Sequence, residues 1–291
     1  MSSDDGKRDA SSVLDIDIAT SHTALLMNRI AYRLSHCVTA CLAALVFSIA
    51  LQASAVEDSR VFELRVYTCN EEKLPELLAR FRGPEHALFE KHGIQNIGFW
   101  VPMDKENGAE TTLIYVVAHK SRDAAKASWA AFSKDPEWQA LAKTSEANGK
   151  FLAKKPESTF MTATDFSPAI TTGAGKADRV FELRTYTCNE GKLPTLLSRF
   201  RDHTCVLFEK HGMTNVAYWT PTDPETGGGK KLIYILAHAS KEAGMKSFDD
   251  FRADPDWVKA KAESEKDGPL TIKPDGVKSV YMKATDFSPI K

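Results

Sequence analysis

An α+β fold of two βαββαβ modules packed sheet to sheet is what this 291-residue chain predicts, on three observations. VFELRVYTCNE at 61–71 returns as VFELRTYTCNE at 180–190, with only Val66 and Thr185 differing. The repeat then continues at a constant offset of 119 residues: FEKHG at 89–93 matches 208–212, Trp100 matches Trp219, and LIY at 113–115 matches 232–234. Within each copy the apolar period switches between two and 3.6 in the order strand, helix, strand, strand, helix, strand. A period this long is a domain duplication rather than a solenoid.

The elements follow in order. Val61–Tyr67 alternates apolar and polar, as a strand does. Leu74, Leu77, Leu78 and Phe81 fall at helical spacing, with Pro75 tolerated in the first turn. Gly83-Pro84 should kink or break this helix in the first copy. Gly93 and Gly212 are the expected helix stops. His92 and His211 just before them read as charges at a helix C-terminus. Ile94–Val101 and Thr112–His119 read as the second and third strands. Ser121 and Ser240 are N-caps for a helix carrying Trp129 and Phe132, or Phe248 and Phe251. Asp135-Pro136 and Asp254-Pro255 open another helix, Asp as cap and Pro at the first helical position. Ser158–Ala163 is the fourth strand, and TATDFSP at 162–168 returns as KATDFSP at 283–289. This order is ferredoxin-like, one antiparallel sheet with helices on one face. Two such sheets cover each other and give a pseudo-two-fold barrel.

Ahead of the repeat the composition changes. Residues 1–26 are polar and patternless. In 27–55, Arg29 and Arg33 precede an apolar stretch from Cys37 to Leu51 and a small-residue site, Ala53-Ser54-Ala55. This reads as an export signal cleaved after Ala55, with translation from Met27 giving it a normal length. The divisions are 1–58, polar start plus export signal; 59–168, first module; 169–178, a glycine-containing linker; and 179–291, second module. Export leaves no stable membrane span after cleavage and places the product in the periplasm or outside the cell.

Composition narrows the function. Net charge is −1 with no basic stripe, which argues against a nucleic-acid partner. After cleavage Cys69, Cys188 and Cys205 remain, an odd set that closes no disulfide framework. No HxH, HExxH or CxxC occurs, so no metal is expected. Gly227-Gly228-Gly229-Lys230 lacks the Ser/Thr and the upstream glycine of a phosphate loop, and reads as the link between strands two and three. No cofactor is expected.

FELRVYTCNEEKLPELLARF, FEKHG, the strand holding Trp100, and DPEW resemble the NIPSNAP family over both copies. The resemblance implies a dimeric α+β barrel, here fused in tandem as a monomeric pseudo-dimer or a higher homo-oligomer. The wider superfamily includes cofactor-independent monooxygenases and haem-degrading enzymes.

Alternation predicts that Phe62, Leu64 and Val66 lie under the helices, while Glu63, Arg65 and Tyr67 face the barrel interior. The same logic places Asn96 with Trp100, and Tyr115 with His119, inside. The second copy supplies Glu182, Arg184, Tyr186, Asn215, Trp219, Tyr234 and His238. In one reading this ring binds a small planar or anionic molecule, the aromatics as walls and Arg65 or Arg184 as clamp. A second makes His119, His238 or His203 the base of a cofactor-independent monooxygenase or isomerase-like enzyme. His203 is singled out because Arg201–Thr204 departs from the first copy's Arg82–His86. A third reading fills the barrel, pairs Glu63 with Arg184 and Arg65 with Glu182 across the modules, and leaves a structural or partner-binding protein.

Overall fold

A computed structural model describes residues 58–170, 172–173 and 179–291. The segment expected to be an export signal, and its expected start at Met27, lie outside these residues. The first module runs β1 (Val61–Thr68), α1 (Leu74–Arg80), a π-turn (Phe81–Glu85), α2 (His86–Lys91), β2 (Gln95–Pro102), β3 (Thr112–His119), α3 (Arg122–Lys134), α4 (Pro136–Ser145) and β4 (Glu157–Ala163). The second repeats it as β5 (Val180–Thr187), α5 (Leu193–Arg199), a π-turn (Phe200–Thr204), α6 (Cys205–Lys210), β6 (Thr214–Pro221), β7 (Lys231–His238), α7 (Lys241–Ala253), α8 (Pro255–Ser264) and β8 (Val277–Ala284).

The local signals act as read. Ser121 and Ser240 accept from the backbone N–H of Ala124 and Ala243 (3.1 Å each), capping α3 and α7. Asp135 and Asp254 cap α4 and α8, and each also holds a helix-end histidine, His92 or His211, at 2.7 Å. Gly83 leaves helical geometry (ψ −131°) and kinks the chain, whereas the second module's π-turn is continuous.

The eight strands close into one antiparallel barrel in the order β1-β3-β2-β8-β5-β7-β6-β4. Two seams join the modules. Trp100, Val101 and Pro102 pair with Ala284, Lys283 and Met282, while Met161, Thr162 and Ala163 pair with Pro221, Thr220 and Trp219. Among the described residues, closure leaves none of the eight strands with a free edge. The repeated TDFSP tails then cross over. Phe287 stacks on Phe81 of the first module, and Ser288 Oγ accepts from the Phe99 N–H (3.0 Å). Reciprocally, Phe166 packs on Phe200 and Tyr218, and Ser167 Oγ accepts from the Tyr218 N–H (3.0 Å). Part of the expected linker is held as well: Ile170 is buried and Gly173 bridges Ile290.

The barrel interior is apolar. Phe62, Leu64, Trp100, Ile114, Val116 and Met161 meet Phe181, Leu183, Trp219, Ile233, Ile235 and Met282 in one cluster. Two separate clusters lie between each module's sheet and its own helices, and these contain Tyr67 and Tyr115, or Tyr234 beside Tyr186. The expected facing of the first strand is therefore inverted. Phe62 and Leu64 point inward, and Glu63, Arg65 and Tyr67 lie under the helices. Alternation reports which side chains share a face, not which face is covered by what.

Candidate functional site

Beneath α3 the first module assembles a closed polar network. Glu63 Oε1 accepts from Arg65 Nη1 (2.5 Å) and Ser158 Oγ (2.6 Å). Its Oε2 accepts from Trp129 Nε1 (2.7 Å) and lies 3.1 Å from His119 Nε2. An ionised carboxylate only accepts, so the histidine presents Nε2–H to it. Arg65 Nε donates to the Tyr115 hydroxyl (2.8 Å), and its guanidinium lies 4.5 Å from the Trp129 ring centroid. Burial opposes the charge on Glu63, but the His119 hydrogen bond, Arg65, Ser158 and Trp129 outweigh it and hold the carboxyl at about 2.

The second module repeats this with Glu182, Arg184, Tyr234, His238 and Ser279. Glu63 and Arg184 do not pair, nor do Arg65 and Glu182. Each glutamate takes the arginine two residues along its own strand, its same-face neighbour. The Arg65 and Arg184 side chains are 15% and 13% exposed, while those of His119 and His238 are 0% and 1%. A substrate could reach neither histidine as packed.

The remaining predicted residues separate. A bulge between Asn96 and Gly98 splits Asn96 from Trp100, and another between Asn215 and Ala217 splits Asn215 from Trp219. Asn96 turns to the helices, bonding Glu90 and the His86 carbonyl, and Asn215 does the same with Glu209 and the Cys205 carbonyl. Trp100 and Trp219 do enter the barrel interior, as expected. Each keeps its indole N–H buried without a hydrogen-bond partner among the described residues. Gly98 makes room for Trp100: a Cβ there would overlap the indole. His203 is exposed on the π-turn surface. Burial pushes the Cys69, Cys188 and Cys205 thiols up to about 11, away from nucleophilic thiolate. Among the described residues no group of His, Cys, Asp and Glu is placed to hold a metal ion.

The two modules differ at residues that no sequence motif marks. Glu85, opposite Thr204, is 1% exposed and donates nothing but accepts from Arg80 Nε (2.8 Å). Burial pushes its carboxyl up, and Arg80 only partly restrains it, so that it stands at about 7. Trp129, a donor to Glu63, is opposite Phe248. Glu72 holds φ 63°, a conformation its counterpart Gly191 (φ 69°) adopts without steric cost.

Glu72 lies on the wall of a groove of about 930 Å³ in the first module. Leu74, Pro75, Leu78 and Val101 give it apolar surface, and Glu71, Glu72, Glu110, Lys105 and Arg82 give it charge. Arg82 is held by both oxygens of Asp286 (2.5 and 2.8 Å). The counterparts of Glu72 and Glu110 are Gly191 and Gly229. The third carboxylate, Glu71, corresponds to Glu190, which Lys230 neutralises at 2.9 Å. The acidic rim therefore belongs to the first module alone.

A NIPSNAP family model matches residues 62–168 and again 181–289. The chain belongs to the NIPSNAP family. The two matches coincide with the two modules, so this NIPSNAP protein closes within one chain a barrel that needs two domains. No curated protein sequence matches it. Among solved structures it is similar to a candidate monooxygenase from Lactobacillus acidophilus, at 14% identity over 78% of this chain and 94% of that one (TM-score 0.50). An anthrone oxidase-like protein is similar at 12% identity over 81% and 95% of the two chains (TM-score 0.53). At these identities the likeness is one of fold.

Proposed function

We propose that this NIPSNAP protein binds a small amphiphilic molecule carrying a basic group, in the groove of the first module rather than in the barrel interior. The observation that carries this reading is the groove itself. Its volume is in the range of small-molecule sites, and its lining combines Leu74, Pro75, Leu78 and Val101 with three carboxylates, Lys105 and an already neutralised Arg82. The apolar lining of the interior offers no clamp for the planar or anionic ligand expected from the sequence. Glu72 supports the reading further, since a strained non-glycine backbone is retained where the other module uses glycine. The export-type segment at 27–55 supports action outside the cytoplasm, and fractionation of the expressed protein checks it.

Thermal unfolding with a panel of amine-bearing amphiphiles and their neutral analogues tests the binding. At a hundredfold excess over Kd, a true ligand stabilises by about 2.7 kcal/mol. Replacing Glu72 and Glu110 by Gln should weaken the amine roughly tenfold and leave the neutral analogue unchanged. Equal binding of amine and neutral analogue by the wild-type protein would defeat the assignment.

A second reading, an enzyme moving protons, is favoured by the position of Glu85: it is buried against Arg80, raised toward neutrality by that burial, and sits on the same π-turn as Arg82, which lines the groove, so it would act only if the turn opened. The monooxygenase and oxidase names of the similar structures agree with catalysis on this fold. Loss of turnover in Glu85→Gln, with groove binding intact, is the outcome this reading requires.

A further inference from the structure

The duplication provides an internal reference for every buried charge. Arg80 and Arg199 are matched residues, each ending the first helix of its module and each nine-tenths buried, at 7% and 6% exposed. Each guanidinium lies 5.0 Å from a tryptophan ring centroid, Trp138 or Trp257. Each Nη1 donates to a serine and a glutamate. Arg80 reaches Ser145 (3.5 Å) and Glu146 (3.1 Å), and Arg199 reaches Ser264 (3.2 Å) and Glu265 (3.0 Å). The two environments differ at Nε. Arg80 Nε donates to Glu85 Oε2 at 2.8 Å. Glu85 is replaced by Thr204, whose hydroxyl turns back to donate to the Arg199 carbonyl (3.1 Å). Arg199 Nε is thus buried with no acceptor among the described residues. Native proteins rarely leave a charged donor in that condition.

We propose that the second module holds a small monovalent anion, of formate or chloride size, against Arg199 Nε, where the Glu85 carboxylate lies in the first module. Three features define it. Position comes from the matched Glu85 oxygen. Charge comes from the count around each arginine: Arg80 has two carboxylates, Glu85 and Glu146, and Arg199 has one, Glu265. Size comes from the group it would replace: a single carboxylate meets Arg80 Nε, so formate and chloride are the matching probes. Arg199 is buried, and burial opposes a negative charge beside it, so binding should be weak. The site lies in the other module from the groove, and neither assignment depends on the other.

The test is thermal unfolding of the full chain at constant ionic strength, with sodium formate replacing sodium gluconate and a parallel chloride series. The wild-type midpoint should climb with the logarithm of formate or chloride concentration. Thr204→Glu supplies the carboxylate within the chain and should abolish that dependence. Glu85→Thr gives the first module the same arrangement. It should unfold earlier in gluconate and recover in formate with a steeper dependence than wild type. A wild-type midpoint indifferent to both anions would show that water alone meets Arg199 and overturn the proposal. So would equal anion dependence in wild type and Thr204→Glu. If Thr204→Glu does not fold, Glu85→Thr decides, and an unsteepened formate response overturns it.

Discussion

Glu63 and Glu85 lie in the same sheet–helix layer and titrate in opposite directions. Glu63 has four donors around it, and its carboxyl is held at about 2. Its stabilising contribution is complete above the ordinary carboxylate pKa and is lost as pH falls toward 2. Glu85 is buried with one arginine, and its carboxyl is raised to about 7. The folded state therefore keeps a proton that the unfolded chain releases, and stability falls as pH rises from about 4.5 to 7, by about 3 kcal/mol. Glu85→Gln should flatten that decline, because an amide still accepts from Arg80 without ionising. Urea unfolding at several pH values between 4.5 and 7 measures it; a slope equal to wild type would mean that Glu85 is not the titrating group. Trp129→Phe copies the second module and deletes one donor to a buried carboxylate, so a loss of about 1.5–3 kcal/mol is expected. Phe248→Trp should move Glu182 the other way if the indole finds the same seat, and calorimetry on both variants reads the pair. These residues were legible in part. Period-two spacing groups Glu63 with Arg65, and Tyr115 with His119, each pair on one face of its strand; that the pairs meet, and meet under the helices rather than inside the barrel, is decided by the sheet. Glu85 carries no signal in the sequence: beside Gly83-Pro84 it reads as part of a kink, and only its burial against Arg80 marks it.

At the level of elements, the two bulges and the two tails do what periodicity could not announce. A bulge inserts one residue into a ladder and reverses the alternation beyond it, so Asn96 and Trp100 separate although their spacing is even. The sequence has no residue that declares such an insertion; Gly98 is compatible with it, and the matched Ala217 shows that glycine is not required. TDFSP was visible as a repeat, and its function was not. Phe287 reaches Phe81, Phe99 and His86 of the opposite module, so the tail secures the closed form. Phe287→Ala should cost about 2–4 kcal/mol, somewhat below a fully buried phenylalanine. A loss no larger than that of an exposed-site control would show that the tails are passive.

For the whole molecule, the apolar interior explains why two copies share one chain. Alone, the first module would present Phe62, Leu64, Trp100, Ile114, Val116 and Met161 to water from a single sheet. An isolated segment of residues 58–168 should therefore self-associate into a two-copy barrel, with light scattering reporting a dimer whose dissociation and unfolding coincide. A stable folded monomer would contradict the account. Fusion frees the two copies to diverge. One carries an acid-rimmed groove and a buried Glu85; the other carries Gly191, Gly229 and Thr204 at the matched positions.

The sequence by itself determined the duplication, the element order, the caps, the helix stops and the family. These depend on local chemistry and on repeated residues that need no partner to be recognised. Tertiary structure alone decided which face of each strand turned inward, that the glutamates pair within a module, and that the copies differ at Arg80 and Arg199. Those outcomes depend on what lies across the sheet. A period of two is unchanged when the sheet is turned over, and a buried charge is defined by neighbours far away in the chain.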